Sequence, residues 1–167
     1  MASLETERRF LITMPKREAL LSRPGARSAR IVQTYLLSDE GVTERVRRLA
    51  GEDGTVYTHT KKRRVSAMTA IEDERTVTEE EYRTLLLRAD GRCRPIEKER
   101  ITLPEGALLF EIDIYPFWQN TALLEVELPS ERAPLALPPY LHILTEITKD
   151  GRYRNAAMAR SIPPERP

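Results

Sequence analysis

The sequence predicts a mainly β fold of the α+β kind: an eight-stranded antiparallel barrel closed on itself, with a few helices packed outside. Three observations carry that expectation. Strand-length segments separated by turn residues run through the whole chain, and about eight can be counted. Helical patterns are confined to three short stretches. Most tellingly, charges recur two residues apart inside the strand-like segments, as Glu5/Glu7, Arg45/Arg47, Glu72/Glu74, Lys98/Arg100, Glu111/Asp113 and Glu125/Glu127. Side chains alternate across a strand, so each pair shares one face. Eight strands are enough to close a sheet and abolish its edges, and these faces turned inward would give the barrel a highly charged interior.

The elements follow in order. The first strand, about Leu4–Ile12, puts Glu5, Glu7 and Arg9 on one face and Thr6, Arg8 and Phe10 on the other. Met14–Leu21 reads as a short helix with proline tolerated in its first turn, and Ser22–Ser28 as a loop. Strands at about Ile31–Leu37 and Val42–Leu49 align Gln33 with Tyr35 and Arg45 with Arg47. Gly51-Glu52-Asp53-Gly54 is a hairpin turn, since glycine and aspartate accept the positive φ it requires. Val56–Lys62 returns as a strand, and a basic loop follows in which Lys62 points inward while Lys61, Arg63 and Arg64 form either a solvated loop or a mouth that attracts substrate. After a strand at Met68–Val77, Thr78 is an N-cap and Glu81 the partner of a capping box. Tyr82, Leu85, Leu86 and Ala89 form the apolar stripe of that helix, which Gly91 stops. Strands at Pro95–Leu103, Leu108–Tyr115 and Thr121–Leu128 precede a proline-rich loop at Ser130–Pro139, a short segment at Leu144–Thr148 and a helix at Arg152–Arg160. Residues 1–161 read as a single domain and 162–167 as a frayed tail.

Composition narrows the function. The chain has 167 residues with 27 basic and 26 acidic side chains, a balance that argues against a nucleic-acid partner. One cysteine, Cys93, excludes an internal disulfide framework and fits a reducing, cytoplasmic setting. No apolar run approaches membrane-spanning length and no leader-like segment precedes the first strand, so no membrane association is expected. Whether the chain is a homodimer is left open.

With the charged faces in one cavity, clustered carboxylates (Glu5, Glu7, Glu72, Glu74, Glu111, Asp113, Glu125, Glu127) would call for a hard divalent cation. The basic set (Arg9, Arg45, Arg47, Lys62, Lys98, Arg100) would grip phosphate oxygens, arginine as a bidentate fork and lysine as a point charge. Metal plus polyphosphate is the chemistry of such a site. The same i, i+2 spacing also suits the solvent face of an antiparallel sheet, and the pattern alone does not decide. His59 falls on the outward face and His142 in a loop, without zinc-ligand spacing. Cys93 has no nearby histidine to make it a nucleophile.

Leu4-Glu5-Thr6-Glu7-Arg8-Arg9 resembles the ExExK signature that opens CYTH-domain proteins, the triphosphate tunnel metalloenzymes. The resemblance continues in order through Gln33-Thr34-Tyr35-Leu36 (QxYL), Arg45-Val46-Arg47 (RxR), Thr60-Lys61-Lys62 (TxK), Glu72-Asp73-Glu74 (ExE) and Lys98-Glu99-Arg100 (KxR). It closes with Glu111-Ile112-Asp113, Glu125-Val126-Glu127 and Glu146-Ile147-Thr148 followed by Asp150, Arg152, Tyr153 and Asn155. What the resemblance implies is a triphosphate tunnel with magnesium- or manganese-dependent chemistry on a small-molecule triphosphate. Glu5, Glu7, Asp113, Glu125 and Glu127 would be metal ligands. Arg9, Arg45, Arg47, Lys62, Lys98 and Arg100 would bind phosphates, and Tyr35, Glu72, Glu74 and Glu111 would line the tunnel. Arg9, Glu7 and Glu127 would be the catalytic residues. One departure stands out: Arg9 replaces the signature lysine, and a guanidinium that stays protonated cannot serve as a general base. The expected activity is hydrolysis of inorganic tripolyphosphate to pyrophosphate and phosphate. Alternatives are a nucleoside or thiamine triphosphatase, a class IV-type adenylyl cyclase, or a binding module without turnover.

Overall fold

A computed structural model describes residues 1–165. Nine strands form one antiparallel sheet: β1 (Ser3–Thr13), β2 (Arg27–Tyr35), β3 (Val42–Gly51), β4 (Gly54–Arg64), β5 (Thr69–Val77), β6 (Ile96–Glu105), β7 (Leu108–Ile114), β8 (Thr121–Glu127) and β9 (Ile143–Glu146). The pairing order β5-β4-β3-β2-β6-β7-β8-β1 returns to β5 through β1, which closes eight strands into a barrel as the alternation predicted. The segment near 144–148 is a ninth strand. One edge of β1 is shared, with Ser3–Thr6 pairing β5 and Phe10–Ile12 pairing β9. Between them, Glu7 N donates to Met68 O and Ile147 N to Arg9 O, so the edge stays bonded where the partner changes.

The apolar core lies largely outside the barrel. Phe10, Ile12, Ile101, Leu103, Phe110, Ile112, Leu124 and Val126 are the outward residues of β1, β6, β7 and β8. Helix α1 (Arg17–Leu21) and the proline-rich segment, through Leu20, Leu135, Leu137 and Leu141, cover them. A second cluster, including Leu11, Tyr35, Ile96, Tyr115, Trp118, Tyr153 and Met158, stoppers one end of the barrel. Helix α2 (Glu79–Leu86) packs Tyr82 against Val46 and Val77 on the opposite wall.

Several boundaries differ from expectation for identifiable reasons. Strand β2 begins at Arg27, inside the expected loop, because Arg27–Ala29 pair with β6 before β3 joins at Ala29. Helix α2 ends before Ala89, which instead bridges Leu36. Thr78 caps α2 by accepting from Glu81 N at 3.1 Å, but the capping box is only half made. The Glu81 carboxylate is taken by Arg75 at 2.5 Å. The helix expected over 152–160 is broken into a 3₁₀ turn at Gly151–Tyr153 and α3 (Asn155–Met158), with Arg154 extended at φ −73°, ψ 140°. The tail is docked over its described part: Trp118 Nε1 donates to Pro163 O and Tyr153 Oη to Pro164 O. The expected fraying therefore does not begin at Ile162, and positions 166–167 lie outside the described residues.

The half-made box gives a test. Thr78→Ala should cost about 1 kcal/mol in urea unfolding, whereas Glu81→Ala, which removes only an exposed ion pair, should cost less than about half of that.

Candidate active site

The inward side chains of the barrel meet around a cavity of about 320 Å³. Alternation explains who lines it. Glu5, Glu7 and Arg9 come from β1, Tyr35 from β2, Arg45 and Arg47 from β3, Lys62 from β4, Glu72 and Glu74 from β5, Lys98 and Arg100 from β6, Glu111 from β7, and Glu125 and Glu127 from β8. Every cavity residue expected from the sequence is there except Asp113.

Asp113 is fully buried beneath the cavity wall. Its Oδ1 accepts from Arg100 Nε at 2.7 Å, and its Oδ2 accepts from Arg100 Nη2 at 2.8 Å and from Lys98 Nζ at 2.6 Å. Burial works against its ionisation, but Arg100 and Lys98 more than offset that and hold the carboxyl well below its usual range. With both oxygens engaged by cations, Asp113 holds Lys98 and Arg100 in place and presents no unengaged oxygen to the cavity. Burial in turn lowers Lys98 to about 8, against the pull of Asp113, so both partners are charged at neutral pH.

Most of the other interior charges are also paired. Arg100 reaches Glu111 at 2.5 Å and Glu125 at 3.0 Å, Arg47 reaches Glu74 at 2.7 Å, and Lys62 bonds Glu5 and lies 3.3 Å from Glu72. Burial and the neighbouring Arg45 lower Arg47 to about 10. The exceptions are informative. Among the described residues, Glu7 and Glu127 make no side-chain hydrogen bond or ion pair, and they lie opposite one another in the β1–β8 register. Burial, then Glu125, pushes Glu7 up to about 7, with Glu5 adding to the effect and Lys62 opposing it. Burial, then Glu5 and Glu72, raises Glu127.

On the basic side, Arg9 is buried, and its Nη1 donates to Tyr153 O at 3.3 Å while Nη2 has no partner. Arg45 reaches its nearest carboxylate, Glu72, only at 3.8 Å, and its Nε is unpartnered. Unpartnered donors point to an anion, and crowded carboxylates to a cation. An all-oxygen donor set of this kind fits a hard divalent ion. The carboxylates are nonetheless dispersed by their ion pairs: among the described residues no three acidic, histidine or cysteine side chains already converge on one metal position.

The cavity also contains Thr43, Asn155 and Ala156, which the sequence does not single out, together with Arg64 and with Arg154, for which the sequence leaves open a role pinning the last helix or reaching the tunnel. Arg64 is expected in a solvated loop or a substrate-attracting mouth, but β4 runs on to Arg64, and alternation from Lys62 turns it inward. Arg154 enters through the break before α3. Arg152 is its opposite, exposed and paired with Asp150 at 2.7 Å. His59 is outside the barrel, as alternation predicted, bonded through Nε2 to Glu44 at 2.7 Å, with Arg88 on the same carboxylate. Cys93 is a free thiol raised by burial, with Arg160 opposing, which does not suit a nucleophile.

No protein-family model matches the chain. An inorganic triphosphatase of Nitrosomonas europaea is 32% identical over 163 residues, covering 95% of this chain and 99% of the relative. A crystal structure of an inorganic triphosphatase superposes with a TM-score of 0.58 at 28% identity, covering 96% of this chain and 97% of that one. A Pyrococcus horikoshii OT3 protein shares the fold at a TM-score of 0.57 and 15% identity, covering 77% of this chain and 80% of that one.

Two stability tests follow from this geometry. Asp113→Asn leaves Lys98 and Arg100 buried without their counter-ion and should cost about 3–5 kcal/mol in chemical denaturation. Glu7, by contrast, holds its proton up to about pH 7 in the folded protein against an ordinary value of 4.5. The native state therefore binds more protons between those values, and stability falls as pH rises through that window. In chelator, Glu7→Gln should be more stable than wild type at pH 8, by on the order of 3 kcal/mol, and the gap should close near pH 4.

Proposed function

The chain belongs to the triphosphate tunnel metalloenzyme family of CYTH-domain proteins, and from that premise we propose that it hydrolyses inorganic tripolyphosphate to pyrophosphate and phosphate with a divalent cation. The observation that carries this reading is the sorting of unpartnered charge within one cavity. Glu7 and Glu127 form an acidic pole, and Arg9 and Arg45, each with a buried donor left without a partner, line the same cavity. A ligand that satisfies both must bring a metal ion and several phosphate oxygens.

In this reading Glu5, Glu7, Glu125 and Glu127 would hold magnesium or manganese, which when bound supplies charge neutralisation at the phosphoryl oxygens. The remaining work belongs to the chain's own residues. Arg45, Arg47, Lys62, Lys98 and Arg100 bind and orient the phosphates, and the carboxylates already paired to four of them keep those side chains extended into the tunnel. Arg9 lines the cavity and lends its guanidinium charge to a phosphate oxygen, stabilising the charge that builds on it. It takes no proton, so the proton of the attacking water goes to a tunnel carboxylate. Phosphoryl transfer depends chiefly on positioning and charge stabilisation, and arginine in place of lysine is compatible with turnover. The free Cys93 thiol supports a cytoplasmic setting, and among the described residues no helix is long and apolar enough to cross a membrane.

The test is phosphate release from tripolyphosphate with magnesium or manganese, and with chelator. Metal-stimulated release is expected, with Glu127→Ala slower by about a hundredfold or more and Arg9→Lys retaining activity. Release from ATP or thiamine triphosphate alone, or formation of cyclic AMP, would move the substrate assignment.

A further inference from the structure

Interior cations in this barrel come in two kinds. Arg47, Lys62, Lys98 and Arg100 each bond a carboxylate, so their donors are partly occupied before any ligand arrives. Arg64 and Arg154 are different. Both line the cavity and are half-buried, yet neither side chain makes a hydrogen bond or ion pair among the described residues. They sit near Arg9, whose Nη1 is held by the carbonyl of Tyr153, the residue immediately before Arg154. Arg9 Nη2 is buried and unpartnered. Burial, then the nearby charges of Arg64 and Arg9, lowers Arg154, with Glu7 as a partial offset. Three guanidinium groups thus line one cavity, and among the described residues neither Arg64 nor Arg154 has an ion-pair partner there.

The architecture holds them there. Tyr115 Oη donates to Asn155 Oδ1 at 2.8 Å, and Lys98 Nζ lies 3.4 Å from the same oxygen. This bond fixes the first residue of α3 inside the barrel and draws the extended Arg154 in with it. Arg64 arrives because β4 continues two residues past Lys62. Neither position belongs to the motif residues of the family: 154 is the unspecified place between Tyr153 and Asn155, and 64 lies beyond the Thr60–Lys62 element. Half-buried like charges without partners are costly in a resting protein, and an anion between them removes the cost.

We infer that Arg64 and Arg154, with Arg9, form a subsite for a terminal phosphoryl group and thereby select three-phosphate ligands over two-phosphate ones. The inference rests on the triphosphatase reading. A pyrophosphate engages the central cations next to the carboxylate pole and leaves the α3 end empty. A tripolyphosphate fills both. The additional contact is a charge-assisted hydrogen bond from each arginine, which sets the scale of the selectivity.

The experiment is calorimetric titration of the full chain in chelator with tripolyphosphate and, separately, pyrophosphate. Arg64→Gln and Arg154→Gln should each weaken tripolyphosphate binding by roughly tenfold and change pyrophosphate binding by less than about twofold. Arg154→Lys should recover most of the loss. Arg152→Gln, on the outward side of the same turn, should change neither. Melting temperatures of the two glutamine variants should be no lower than wild type, because neither arginine has a partner to lose. Equal losses for both ligands, no loss for tripolyphosphate, or a lowered melting temperature would overturn the subsite. Absence of phosphate release by metal-loaded wild type would instead overturn the triphosphatase reading, so the two failures are distinguishable.

Discussion

The rest of the structure depends on one buried carboxylate. Asp113 is inaccessible to solvent and carries both Arg100 and Lys98, and through them much of the tunnel wall is assembled. Arg100 extends from Asp113 to Glu111 and Glu125, which ties β6, β7 and β8 together on their inner face. Lys98 approaches Asn155, and Tyr115 bonds it, so the same network fixes the closing segment of the chain. A buried pair of this kind need not stabilise the fold against an apolar replacement of similar volume. What it supplies here is placement: two long, flexible cations are held in one geometry before a ligand arrives, which lowers the ordering cost of binding.

A charged interior forces the hydrophobic core elsewhere. In this barrel the apolar residues of β1, β6, β7 and β8 face outward, and the chain has to bring its own cover for them. Short helices and a proline-rich segment supply it through Leu20, Leu135, Leu137 and Leu141, while the aromatic cluster of Tyr115, Trp118 and Tyr153 plugs one end. The modest aliphatic content and the dense charge of the sequence are therefore two sides of one arrangement. Burial outside the wall, at roughly 25 cal/mol for each Å² of apolar surface, sustains a barrel whose inside is kept for ions.

Alternation made the barrel and most of its interior legible, because strand periodicity reports directly on which face a side chain takes. It reports nothing about depth. Glu111 and Asp113 share a face, yet one lines the cavity and the other lies sealed beneath it, with Tyr115 Oη 3.5 Å from the Asp113 carboxylate. Arg64 was within reach of the same rule and was missed only because the run of four basic residues resembles a solvated loop. For Arg154 the sequence raises the tunnel as one option but does not decide it. Its position depends on a helix break that helical propensity does not announce, and on Asn155 bonding a tyrosine forty residues away in sequence. The half-formed capping box has a similar cause, since Arg75 on the preceding strand competes for Glu81 and lies outside the local motif.

Paired and unpaired charges consequently do different work in this tunnel. The paired ones cancel locally and give the walls their shape, and the unpaired ones create the two poles that a ligand must satisfy. The poles also influence each other. Glu7 partly offsets the positive charge on Arg154 across the cavity. A cation bound at Glu7 withdraws that offset and leaves the guanidinium end more in need of an anion. A phosphate at that end, conversely, removes the cationic support for ionised Glu7 and makes a bound cation more valuable. On the proposed reading, cation and triphosphate binding would then be coupled with the same sign in both directions, as linkage requires. The resting tunnel is held away from electrostatic balance, and a cation and a triphosphate would restore that balance together.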